Sequence, residues 1–167
     1  MNSQLAAMGR SPVPVLLSVL GLLGATSAPA ATLNGRVLGA GAPIASSTVT
    51  LWAASAGAPK ELAHAKTGSD GRFTLGAADA PGNASLYVVA RGGQPAANKA
   101  GGDNPAIALI AVVGSKPAAQ VTINEMTTVA SVWTHAQFLD GTAIRGHALG
   151  LRIAAGNVPN FGDVGTG

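Results

Sequence analysis

Three residues late in the chain have the types that a hydrolase triad needs. Ser131 and His135 stand four apart, and Asp140 follows. On a helix that spacing puts serine and imidazole on one face. Acyl transfer demands more: an exposed serine beside an oxyanion hole, with the acid behind the imidazole. Nothing around Ser131 supplies a strained elbow, so the three read as polar residues of a solvated helix face. No catalytic residue is assigned, and the chain is read as a non-enzyme.

Metal and phosphate chemistry fare no better. His64, His135 and His147 are the only histidines, and none stands in a tight ligand spacing. There is no cysteine, which excludes disulfides, thiolate metal sites and a thiol nucleophile. Ser69-Asp70-Gly71 offers a carboxylate and a hydroxyl, but an Asp-Gly hairpin turn accounts for it without calcium. The glycine stretches at Gly39 and Gly92 lack the Lys-Ser/Thr ending of a phosphate loop. No metal and no cofactor is assigned. Asn83-Ala84-Ser85 fits a glycosylation sequon, which in a bacterial protein is coincidence.

Two aromatic residues remain. Trp52 and Tyr87 each sit opposite the apolar positions of their strands, so both point away from the same kind of core. Together on one surface they would form a platform on which a sugar ring could stack. The alternative, which weighs more, is that Trp52 packs against an edge or beneath a helix.

The elements that must position these residues are mainly strands. Val49, Leu51 and Ala53 alternate with Thr48, Thr50 and Trp52. Leu33–Leu38, Glu61–Thr67, Phe73–Leu75, Leu86–Arg91 and Gln120–Ile123 supply further short strands. Ala106–Val113 is apolar on both faces, which predicts a central strand covered on each side. Gly39–Pro43, Asp70-Gly71 and Asp79–Asn83 mark turns or loops, and Gly92–Pro105 is expected to be a mobile loop. After Thr122 the period changes to helical. Thr122–Glu125 fits a capping box, with Asn124 as a competing cap. The helix is expected over Glu125–Leu139, packed by its Val129/Trp133 face and closed at Asp140-Gly141. A short helix follows over Ala148–Ala155, and residues 156–167 read as a loop-like tail, either truncated or disordered.

Composition bounds partners. Only 10% of residues are charged, and ten scattered basic residues stand against seven acidic ones. With no basic run or face, nucleic acid is excluded as a partner. The first thirty residues look like an export signal. Arg10 gives a positive start, Val13–Ala25 an apolar stretch, and Ala28-Pro29-Ala30 the small-residue exit that signal peptidase accepts. Cleavage is expected after Ala30. The apolar stretch falls short of the ~20 residues of a comfortable membrane span, and no later stretch is long enough either. The expected location is secreted, periplasmic or cell-surface.

The segment Leu33–Leu75 resembles the carboxypeptidase regulatory-like domains, a branch of the transthyretin-like β-sandwiches. The likeness rests on Leu33-Asn-Gly35-Arg-Val37, Gly41-Ala-Pro43-Ile44 and Val49-Thr-Leu51. It continues through Thr67 and Asp70-Gly71-Arg-Phe73-Thr-Leu75. Ser46-Ser47 stands where that pattern usually has Gly-Ala. The resemblance implies a non-catalytic spacer, folding aid, or adhesive or sugar-binding module. Leu86–Gly93, Val121–Val129 and Ala154–Pro159 look like N-terminal regions of exported bacterial proteins, some with downstream β-propellers.

The expected fold is therefore mainly β: an immunoglobulin- or transthyretin-like antiparallel sandwich over 31–123, a helical segment over 124–155, then the tail. The expected role is a non-catalytic exported module that binds or supports an envelope protein or a glycan. It would do so by presenting Gly39–Pro43, Ser69–Arg72 and Gly92–Pro105 rigidly. One alternative is a carbohydrate-binding module using Trp52 and Tyr87. Another is the N-terminal accessory region of a larger exported enzyme or propeller protein.

Overall fold

The computed structural model describes residues 32–76, 81–82, 84–98, 100–115 and 120–167. The expected leader, its cleavage point, the sequon's Asn83 and parts of the loops at 77–80 and 116–119 lie outside the described residues. Within them the chain forms a β-sandwich followed by a helical layer. Its strands are β1 (Thr32–Gly39), β2 (Ala42–Ala45), β3 (Thr48–Ala54), β4 (Lys60–Lys66), β5 (Arg72–Gly76), β6 (Ser85–Arg91), β7 (Gln94–Pro95), β8 (Ala108–Gly114) and β9 (Gln120–Ile123). Helix α1 (Glu125–His135) follows, then the short hairpin of β10 (Leu139–Asp140) and β11 (Ala143–Ile144), then helix α2 (Ala148–Asn157).

One sheet has the order β4-β3-β6-β8, all antiparallel. The other runs β5-β1-β2-β7, with β9 also beside β1. The β1–β9 pair is parallel, so this second sheet is mixed rather than purely antiparallel. Between the sheets lie Val49, Leu51, Ala53, Leu86, Val88, Ala90, Leu33, Val37, Phe73, Leu75, Val121 and Ile123, all buried. The alternation of β3 is realised as read: Val49, Leu51 and Ala53 point into this core. Gly35 sits opposite both Phe73 and Val121. A Cβ there would collide with the Phe73 ring and the Val121 carbonyl, so the glycine lets an aromatic ring lie across β1.

Asp70-Gly71 does form a tight turn, with Gly71 at φ 74° and its N–H donated to the Gly68 carbonyl at 3.0 Å. It is not a hairpin. The strands it joins, β4 and β5, are edge strands of different sheets, so the turn is a corner between layers. The Gly92–Pro105 loop is also more tied down than expected. It contributes β7 to the edge of β2, and the Asp103 carboxylate accepts the Gly93 N–H at 2.6 Å. Pro43 lies inside β2, leaving a two-residue turn at Ala40-Gly41.

Strand β8 corrects a further expectation. Its faces are both covered, but it is the edge of its sheet, not the centre. An edge strand leaves alternate N–H groups without a ladder partner. Helix α1 lies along that edge and answers them with side chains. The Thr128 hydroxyl accepts the Ile110 N–H at 3.1 Å, and the Ser131 hydroxyl accepts the Val112 N–H at 2.9 Å.

That function turns the helix over. Its buried residues are Thr127, Ala130, Ser131 and His135, while Val129 and Trp133 are 62% and 69% exposed. The expected Val129/Trp133 packing face is therefore the outer face. Asn124 is the N-cap, because Thr122 is held in β9 opposite Arg36. The capping box is completed by Thr127 rather than Glu125, whose carboxylate instead accepts the Ala40 N–H at 2.8 Å. The helix stops at His135 and continues as a short 3₁₀ turn over Ala136–Phe138.

Helix α2 covers the rest of the outer face of β6 and β8 with Leu151 and Ala154. Tyr87, Val89, Ile110, Val112, Ala130, Ile144 and Leu151 form a second, smaller core there. The tail is loop-like but anchored. Val164 packs against both cores, and its carbonyl accepts the Thr122 N–H at 2.7 Å.

Candidate functional site

The two helices leave the outer face of β3 and β4 open. Register decides what that face carries. Trp52 sits opposite Tyr87 of β6, Thr50 opposite Val89, and Thr48 opposite Arg91. On the other side Thr50 faces His64 and Thr48 faces Lys66. A bulge between Leu51 and Trp52 breaks this register, so Glu61 rather than Leu62 stands opposite Trp52. Leu62 is thereby packed on the inner core instead of lying beside the tryptophan.

A cleft of about 310 Å³ opens here, walled by Thr48, Thr50, Trp52, Pro59, Arg91 and Thr142. The Arg91 guanidinium donates to the Thr142 hydroxyl at 2.5 Å and so ties the β10–β11 turn to the sheet. A second depression of about 480 Å³ shares Thr48 and Arg91 with the first and extends past Lys66, Gly92, Gly93 and Asp103. The two together make a groove with one accessible aromatic wall, several hydroxyls and two cations, Arg91, held by Thr142, and Lys66. Such a lining suits a ligand with an apolar ring face and hydroxyl edges.

The two predicted aromatic residues are thus neighbours, but they are not equal. Tyr87 is 1% exposed and roofed by the segment that includes Ile144. Its hydroxyl accepts the Ile144 N–H at 3.2 Å. Burial pushes the phenol pKa up, partly offset by that N–H and by the Arg145 charge. Both residues line the cleft, Tyr87 as its buried floor and Trp52, half-buried, as its accessible aromatic surface. Trp52 also packs against the second core, so the packing expectation holds for part of its ring.

The three triad candidates do not meet. The Ser131 hydroxyl is committed to the Val112 N–H. His135 is fully buried, with Nδ1 3.1 Å from the Ser131 carbonyl and 2.9 Å from the Thr134 hydroxyl. A carbonyl only accepts, so Nδ1 carries the proton and Nε2 is a bare, buried nitrogen without a partner. Burial is the main reason its pKa is lowered; the Ser131 carbonyl opposes this. Asp140 is exposed and pairs with Arg145 at 2.5 Å. His64 is exposed and bonds Glu61 at 2.8 Å, and His147 precedes α2 as its N-cap residue. Among the described residues no group of three histidine or acidic side chains is placed to hold a metal. Asp70 spends its carboxylate on the Arg72 N–H at 3.0 Å within its own turn.

Arg91, Thr48, Thr50 and Thr142 were not singled out in the sequence. The alternation of β3 does put both threonines on the Trp52 face, which is the signal that could have found them. Arg91 and Thr142 are 51 residues apart, and no local pattern joins them.

No family model matches the chain, and no curated protein matches it. Among solved structures, one that is similar is the crystal structure of a 9R-lipoxygenase from Cyanothece PCC8801. The likeness has 18% identity, a TM-score of 0.34, and covers 56% of this chain and 15% of that one. At that level the likeness carries no inference about activity, and the chain corresponds to a small part of the lipoxygenase's length.

Proposed function

We propose that this chain is an exported, non-catalytic binding module of the carboxypeptidase regulatory-like kind, and that its ligand is a glycan held in the Trp52 groove. The observation that supports it is the Trp52–Arg91 cleft on the part of the sheet face that the two helices leave open, beside a depression that gives room for a chain-like ligand. An indole stacks on the apolar face of a sugar ring, while the threonine hydroxyls and Arg91 address its hydroxyl edge. Non-catalysis is supported by the use of Ser131, His135 and Asp140 in structural bonds. Export is supported by Arg10, the Val13–Ala25 stretch and the Ala28-Pro29-Ala30 exit.

The test is retention by a panel of soluble polysaccharides in affinity gels and by insoluble glycans in pull-downs. The wild-type chain should be retained by at least one glycan. Trp52→Ala should abolish that retention with only a small drop in Tm. Absence of retention by every glycan, or retention indifferent to Trp52→Ala, contradicts the reading. A large loss of stability instead assigns Trp52 to packing. An intact mass beginning at Ala31, measured on protein recovered from a bacterial host's envelope or medium, checks export.

A further inference from the structure

Among the described residues, every large apolar side chain that stands well out in solvent belongs to the helical layer, and none to the sandwich. Met126, Val129 and Trp133 form one stripe on α1, Leu149 and Ile153 another on α2, and Phe161 follows α2. Both helices face the same sheet with their other sides, α1 through Ala130 and Ser131, α2 through Leu151 and Ala154. The exposed stripes therefore point together, away from the sheet. Phe161 joins them to one another, its ring centroid 6.5 Å from that of Trp133.

The chain does not spend apolar surface this way for lack of an inside. The inner side of α1 is taken by hydroxyls that serve β8. The outer side is then free to be apolar, and it is apolar at nearly every large position. At the exposures recorded these side chains leave on the order of 700 Å² of surface in water, above the usual largest patch of a monomer and close to the ~800 Å² per partner of a standard interface.

We infer that the outer face of α1 and α2 is where a second copy of this chain docks, by a two-fold contact of helical layer on helical layer. Charge selects this occupant. Beyond Glu125, which is bonded to Ala40, α1 carries no lysine, arginine or carboxylate, and α2 carries only Arg152. A two-fold contact sets each patch against itself, and an uncharged patch meets its own copy without like-charge repulsion. An anionic membrane would want a rim of cations around the apolar stripe, and the two helices supply a single one, Arg152. The groove at Trp52 lies on the open part of the sheet face, beyond the helical stripes. The dimer therefore presents two such grooves, whether or not their ligand is a glycan.

Sedimentation equilibrium of the host-processed protein, from submicromolar to about hundred-micromolar concentration, tests this. The expected result is a reversible monomer–dimer equilibrium, with a Tm that rises with protein concentration. Trp133→Glu and, separately, Val129→Glu should be monomeric throughout with far-ultraviolet dichroism unchanged. Their Tm should not depend on concentration. Should Trp133→Glu fold poorly, Leu149→Glu gives the same test from the other helix. A wild-type monomer at every concentration overturns the inference. So does a dimer that survives both the α1 and the α2 substitutions, or a monomer that co-sediments with phosphatidylglycerol vesicles and loses this with Trp133→Glu.

Discussion

The sandwich and the helical layer sort their side chains by opposite rules. In the sandwich, hydropathy decides: Val49, Leu51 and Ala53 go in, and Thr48 and Thr50 face out. In α1 the hydroxyls of Thr127, Thr128 and Ser131 turn toward the protein and Met126, Val129 and Trp133 turn away. The difference lies in what each element must satisfy. A strand inside a sheet has its backbone bonded by neighbours, so its side chains are free to follow the hydrophobic effect. Helix α1 borders an edge strand, and unbonded N–H groups at a buried edge cost more than apolar surface left in water. The helix is recruited as a row of hydrogen-bond acceptors first and as an apolar lid second.

This contrast predicts how unequal the two regions are to substitution. The largest effect belongs to the inner core. Leu51→Ala should destabilise by about 2–5 kcal/mol in denaturant unfolding, since Leu51 is almost fully buried between the sheets. Ser131→Ala removes one oxygen yet should cost about 1–3 kcal/mol, because it strands the buried Val112 N–H. Hydrogen exchange at the Val112 amide should rise in that variant. A loss no larger than that of a solvent-facing residue would break the contrast.

His135 sharpens the contrast through pH. Its folded pKa lies below the ordinary histidine value, so the unfolded chain takes up a proton before the folded one does. The stability tied to the neutral imidazole is complete above about pH 6.5 and is lost as pH falls below that. Tm measured from pH 7.5 down to 5.5 should decline in the wild type and decline less in His135→Gln. The smallest effect is expected outside. Trp133→Gln should move the stability of the dilute protein by no more than about 0.5 kcal/mol, as for an open surface position.

Much of the sandwich was legible because alternation is a local signal. Strands β1, β3, β4, β6 and β9 fall within a residue or two of where period two puts them. The helices were legible as elements, but the orientation of α1 was not. The rule that an amphipathic helix buries its apolar stripe points to Val129 and Trp133, and it has no knowledge of a strand edge 18 or 19 residues upstream. The counter-signal was there as hydroxyls at 127, 131 and 134, which is helical spacing too. The edge position of β8 was hidden for the same reason, since two covered faces look alike at an edge and at a centre. The groove was half legible: Trp52 and its threonine neighbours lie on one strand, while Arg91 and Thr142 arrive by tertiary contact.

The inverted helix is tested most directly by the tryptophans, of which the chain has two. Trp52→Phe leaves Trp133 as the sole reporter. In dilute protein its emission should be that of an indole in water and open to acrylamide quenching, with a blue shift only as concentration rises. A blue-shifted, quencher-protected Trp133 at every dilution would mean that the apolar stripe packs inward and that the hydroxyl contacts to β8 do not set the helix.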